Sequence, residues 1–236
     1  DPHAYQASHD DVVMISEADI LIVNGANLEA FMSPILQNAD GRQVVIQASA
    51  GLTPLPDPSG QNPAGDPHLW LDPNNVVRYV ENIHAGLSQA DPAGASVYTE
   101  NAQRYIGDLQ TLDSWIVSQV QDVPQARRLL VTNHETFGYF AKRYGFTIVG
   151  AILPSITTGA APSAQELAVL VRQIRSTGAP AIFLETGTSL QLPEQIGSET
   201  GVKVVSDLYT HGLSGPDGPA ATYIDMMMHN VYVICE

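Results

Sequence analysis

The chain has 236 residues, 44% of them hydrophobic, and carries 25 acidic against 10 basic side chains, a formal net charge of −15. That length and composition fit one large or two compact globular units rather than a disordered chain. The acidic balance excludes nucleic acid and anionic lipid as natural partners. One cysteine, Cys235, excludes an internal disulfide and any multi-thiolate metal site. No apolar run reaches the ~18 residues of a membrane span.

In chain order, ADILIVNG (18–25) and RQVVIQAS (42–49) read as short buried strands. Residues 51–67 hold five prolines and three glycines and read as loop. Asp72 and Pro73 then form a cap and first-position pair that starts a helix. Asp91-Pro92 repeats the signal, and 92–121 is the longest helical stretch. Its stripe is Tyr98, Ala102, Tyr105, Leu109, Leu112 and Ile116.

From 128 onward strand and helix alternate. Strands are expected over 128–133, 147–153, 181–186 and 203–208. Helices are expected over 135–145 (closed by Gly145), 163–178, 189–201 and 220–236. This rhythm predicts an α/β fold with a mostly parallel sheet, whose ligands sit beyond the carboxyl ends of strands.

Those ends carry chemistry. His134 follows RLLVTN, Asp207 ends KVVSD, and His68 follows the proline-rich loop. His3 repeats the Asp-Pro-His context of His68. A proline restricts its own φ and the residue before it, so a histidine just behind it hangs from a stiff loop. Metal ligation needs such presetting, because donors must converge at about 2.0–2.2 Å from zinc. Asp66 can accept the other ring N–H of His68. Taken singly, each Asp-Pro-His is also a common turn, and spacing alone leaves both readings open.

The stretches DPHAYQASHDD, DPHLWLDPNNV, NHETFGYFAKRYGF, PSAQELAVLVRQIRSTGAPAIFLET and SDLYTHGLSGPDGPAATYIDMMMHN resemble, in order, the successive blocks of one family. It is the family of zinc- and manganese-binding solute-binding proteins of ABC importers (cluster A-I). The resemblance covers essentially the whole chain. It implies two α/β sandwich lobes with mostly parallel sheets, joined by one long rigid helix. The implied division is an N-terminal lobe (1–91), a linking helix (92–122) and a C-terminal lobe (123–236). The family usually has a strand and helix before its first Asp-Pro-His, so the N-terminal lobe is expected to lack them here.

The resemblance also implies a ligand set, His3, His68, His134 and Asp207, in the cleft between lobes. The manganese branch carries glutamate at the position of His134. Three imidazoles and a carboxylate suit Zn²⁺ better than Mn²⁺. Glu185, Asp66, Trp70, Tyr209 and His211 are candidates for lining the cleft or backing the ligands. His9, His84, His211 and His229 are not expected to be ligands; His211, four residues past Asp207 in a glycine-rich loop, comes nearest to one. The segment before the second Asp-Pro-His lacks the histidines that many zinc-specific members carry there.

The expected role is extracytoplasmic: a monomeric protein, not an enzyme, that binds Zn²⁺ and delivers it to the permease subunits of an importer, with a metallochaperone as a further partner. A metal-binding adhesin or sequestering protein of the same fold is the alternative. A zinc hydrolase is the rival from another class. It would need Asp207 outside the shell, an open position on three histidines, and Glu185 as base.

Overall fold

The computed structural model describes residues 2–32, 43–156 and 161–236. It contains two parallel sheets. The smaller pairs β1 (Ile20–Val23) with β2 (Val44–Gln47), in register Ile20 to Val44. The larger has four parallel strands in the order β4–β3–β5–β6, with β3 Leu129–His134, β4 Thr147–Leu153, β5 Ala181–Glu185 and β6 Lys203–Leu208.

Seven α-helices are described: α1 His9–Glu17, α2 Pro73–Ala90, α3 Ala95–Gln121, α4 Gly138–Tyr144, α5 Ala164–Thr177, α6 Gln191–Thr200 and α7 Tyr223–Cys235. The Asp72 side chain accepts from Asn74 N–H and Pro73 opens α2, as the sequence signals predict. Gly145 closes α4 at φ 74°, in the left-handed region glycine enters without strain. Helix α4 begins at Gly138, three residues later than expected, because Glu135 and Thr136 are held in a turn after β3. Helix α1 was not expected. A capping box of Ser8 and Asp11 starts it, but it buries no residue, so it shows no strong apolar stripe.

The large sheet is covered on both faces. Leu130 and Phe183 project into one core with Leu112, Ile116 and Val120 of α3, Phe140 and Tyr144 of α4, and Met227 and Val231 of α7. Val131, Ile182 and Leu184, their neighbours in the strands, project into the other core with Leu170, Val171 and Ile174 of α5 and Ile196 of α6. This is the period-two alternation of strands buried on both faces.

Helix α3, about 40 Å long at 1.5 Å per residue, serves both parts of the molecule. Its second half buries Leu109, Leu112, Ile116 and Val120. Its first half turns Tyr98, Ala102 and Tyr105 toward Val80, Ile83 and Leu87 of α2. On its other side α2 packs on β2, and a Cβ at Gly86 would lie 2.4 Å from Ile46 Cδ1. Asp113 of α3 accepts from Asn74 at 3.2 Å, from Arg143 at 2.5 and 3.0 Å and from Tyr144 at 2.9 Å, tying α2 and α4 to the long helix.

Candidate metal centre

After β3 the chain moves outward to β4, then returns across β3 to β5 and β6. That reversal leaves a crevice between the carboxyl ends of β3 and β5, where open α/β sheets bind ligands. His134 ends β3 and Glu185 ends β5, and His134 Nδ1 lies 2.6 Å from Glu185 Oε1.

The opposite wall comes from the proline-rich loop. Tyr139 of α4 fixes it, donating its hydroxyl to Asp66 O and accepting from Leu55 N–H. Asp66 accepts both the backbone N–H and the ring Nδ1 of His68, at 3.0 and 2.7 Å. The His68 ring is fully buried. Trp70 crosses to the other wall: its indole N–H donates to Thr210 O, and Tyr223 donates to Trp70 O. Its ring stands edge-on to His68 and His211, with centroids 5.3 and 5.8 Å away.

Four imidazoles meet between these walls: His3, His68, His134 and His211, each offering a ring nitrogen within 4.8 Å of the others. The Nε2 atoms of His3, His68 and His211 form a triangle with edges of 3.0 to 3.1 Å. Tetrahedral zinc with bonds near 2.05 Å needs donor separations of about 3.3 Å, so small outward shifts place three nitrogens on one ion. The His134 ring stacks on His211, centroids 5.0 Å apart, and completes the group.

The tautomers follow from the carboxylates behind the rings. A carboxylate only accepts, so a ring nitrogen against it carries the proton. Asp66 thus puts the proton of His68 on Nδ1 and leaves the Nε2 lone pair facing the cluster. Thr136, fully buried, also reaches His134 Nε2 with its hydroxyl, which can donate there until an ion takes the lone pair.

Burial sets the electrostatics. It lowers the pKa of His3 to about 3, helped by His211 and His134. It lowers His68 well below the usual imidazole value, again with its histidine neighbours. His211 is lowered by burial against the pull of Glu185. Burial works to raise Glu185, but hydrogen bonds and charge from His134 and His211 hold it well below the carboxylate range. Burial raises Asp66 to about 7, against the hydrogen bond from His68 N–H. The His3, His68 and His211 rings are therefore neutral, as metal ligands must be.

Asp207 does not join the group and is corrected here. Its side chain is 58% exposed and faces His229 Nε2 at 3.5 Å. The reason is position: β6 continues to Leu208, so Asp207 still points off the sheet, and the chain first turns into the crevice beyond the strand. The imidazole that arrives there is His211, which against the expectation takes a ligand position. Ligands in such sheets follow strand ends, and His211 lies four residues beyond Asp207, past the end of β6.

The other candidates divide. His211 is one of the four, and Glu185, Asp66 and Trp70 touch the cluster. Tyr209 lines the adjoining cavity of about 670 Å³, which also meets Glu185 and His211, but its ring packs on His229. His9 opens α1 and His84 bonds Thr99 across α2 and α3. Asp1, which precedes His3 in the first Asp-Pro-His, lies outside the described residues.

Residues 1–236 match the family described as ZnuA, zinc-uptake complex component A, periplasmic. The manganese-binding lipoprotein MntA of Halalkalibacterium halodurans is 33% identical over 98% of this chain and 75% of its own length. The iron-binding protein YfeA of Yersinia pestis is 34% identical over 99% and 75%. Among solved structures, the periplasmic zinc-binding protein TroA of Treponema pallidum superposes with a TM-score of 0.90 at 28% identity, covering all of this chain and 86% of that one. The chain belongs to this family: it is an extracytoplasmic, metal-binding substrate-binding protein of an ABC metal importer and not an enzyme.

Proposed function

We propose that the cargo is Zn²⁺, held by His3, His68, His134 and His211 and handed to the permease subunits of the importer. The observation that carries this reading is the donor set: four imidazoles and, among the described residues, no carboxylate. Neutral nitrogen donors suit zinc, whereas manganese is the harder ion and gains most from carboxylate oxygen. The two carboxylates of the site, Asp66 and Glu185, sit behind imidazoles, where they balance the charge of a dication without contacting it. Four protein donors close a tetrahedral shell, which favours holding an ion over activating water. On this reading residues 1–91 form one wall of the cleft, 92–122 the linking helix and 123–236 the other wall.

The test is a chelator-competition titration of the metal-free protein with Zn²⁺ and then Mn²⁺, with His134→Ala alongside. One tight zinc equivalent, weak manganese binding and a large loss in the variant are expected. Tight manganese binding, or zinc binding indifferent to His134, would overturn the assignment.

A further inference from the structure

One carboxylate faces two of the four imidazoles. Glu185 Oε1 lies 2.6 Å from His134 Nδ1, and Glu185 Oε2 lies 3.3 Å from His211 Nδ1. The His134 contact is close, but His134 Nδ1 makes no hydrogen bond of good geometry there. It still requires a proton on Nδ1, because a ring lone pair facing a carboxylate at that distance would be repelled. The Thr210 hydroxyl lies 3.0 Å from His211 Nδ1 and adapts to either tautomer, since a hydroxyl both donates and accepts. Glu185 is therefore the group that commits both rings.

We propose that Glu185 is a positioning residue that fixes His134 and His211 together in the tautomer that points both Nε2 lone pairs at the cargo. The inference rests on the zinc reading above and deepens it. His134 ends β3, and His211 lies in the loop after β6, with no backbone pairing between those strands. One side chain at the end of β5, the strand between them, links the two. The carboxylate matters for its symmetry as much as for its charge. Two equivalent oxygens can face two N–H groups at once. A glutamine in the same place offers one acceptor oxygen and one NH₂ donor. The NH₂ would face a ring nitrogen that must then present its lone pair. That ring would move its proton to Nε2, against the ion. Glu185→Gln thus removes one ligand without touching a ligand.

The tautomer clamp makes a prediction that a merely structural role does not. In wild type, Glu185→Gln should weaken zinc binding by about 10- to 100-fold, the range for groups that orient ligands. In a His211→Ala background only His134 remains to be satisfied, and the single glutamine oxygen suffices. There Glu185→Gln should cost only about threefold.

The experiment is a Zn²⁺ chelator competition on the full chain for wild type, E185Q, H211A and E185Q/H211A. Imidazole ¹⁵N NMR of the zinc-loaded proteins reads the tautomers, and thermal unfolding of the metal-free forms checks that each variant folds. The expected result is strong non-additivity, with one ring of E185Q protonated on Nε2. The same fold-loss in both backgrounds, or both rings of E185Q still protonated on Nδ1, would overturn the clamp. Absence of tight zinc binding in wild type would instead overturn the zinc assignment. If E185Q unfolds when metal-free, Glu185→Ala decides. It removes the one carboxylate that faces both rings and leaves His211 only the Thr210 hydroxyl, so a zinc affinity unchanged in that variant would also overturn the clamp.

Discussion

The four imidazoles stand on two kinds of support. His68 and His134 are fully buried, one held by Asp66 behind a loop pinned by Tyr139, the other at the end of a central strand. His3 and His211 are partly exposed, one in a short 3₁₀ turn ahead of a helix that buries nothing, the other in a loop rich in glycine. The first pair forms a floor whose geometry the core enforces. The second pair forms a rim that, on the zinc reading, would close over the ion. A protein that must both hold and surrender its cargo gains from this division, because the rim can yield while the floor stays.

The comparison can be broken most directly at the floor. His68→Ala and His134→Ala should each lower zinc affinity by more than about 100-fold, beyond the loss from groups that only orient ligands. A loss below tenfold in chelator competition would show that the floor is not where the ion is held. Next is the core beneath it. Ile116→Ala empties a fully buried site between α3 and the large sheet and should cost about 2–5 kcal/mol in urea unfolding. Equal stability to wild type would mean that α3 does not brace the floor.

The rim should be gentler. His3→Ala and His211→Ala should cost about 10- to 100-fold, a loss that leaves three donors and room for water. His211→Asp sharpens the point, since an oxygen donor should shift preference from zinc toward manganese. A rim variant that loses more zinc affinity than a floor variant would reverse the hierarchy.

The smallest effect lies at the bridge between α2, α3 and α4. Burial works to raise Asp113, but hydrogen bonds from Arg143, Tyr144 and Asn74 hold its carboxyl below the usual value. A depressed carboxylate stabilises the fold above its unfolded pKa, near 3.9, and that contribution disappears as pH falls through the folded value. Asp113→Asn should therefore cost about 1 kcal/mol at pH 7 and progressively less below about pH 4. A stability difference that does not shrink in acid would assign the loss to packing.

Much of this was legible in the sequence, for identifiable reasons. Strands 147–153 and 203–208 and helix 73–90 carry their own boundaries, in alternation, caps and glycines. His3, His68 and His134 stood out because a repeated Asp-Pro-His and a strand end are local signals. The fourth imidazole was not legible in the same way. Asp207 and His211 are four residues apart, and which one enters the crevice depends on where β6 stops pairing with β5. The stitching of Trp70 to Thr210, 140 residues away, leaves no local trace. Nor does the sharing of Glu185 by one ring at the end of β3 and another in the loop after β6.

His3 and His211 meet although 208 residues separate them along the chain. An ion that joins them, with His68 and His134 between, closes the polypeptide into successive loops, as a disulfide framework would. Cross-links over long loops act most strongly on the unfolded chain, whose freedom they remove. On the proposed ligand set, the cargo would thus also be a reversible staple for almost the whole length of the protein. Its contribution grows with the logarithm of free metal over the dissociation constant. The melting temperature of the protein becomes a gauge of the metal available to it, and the empty form is the one that proteases meet first.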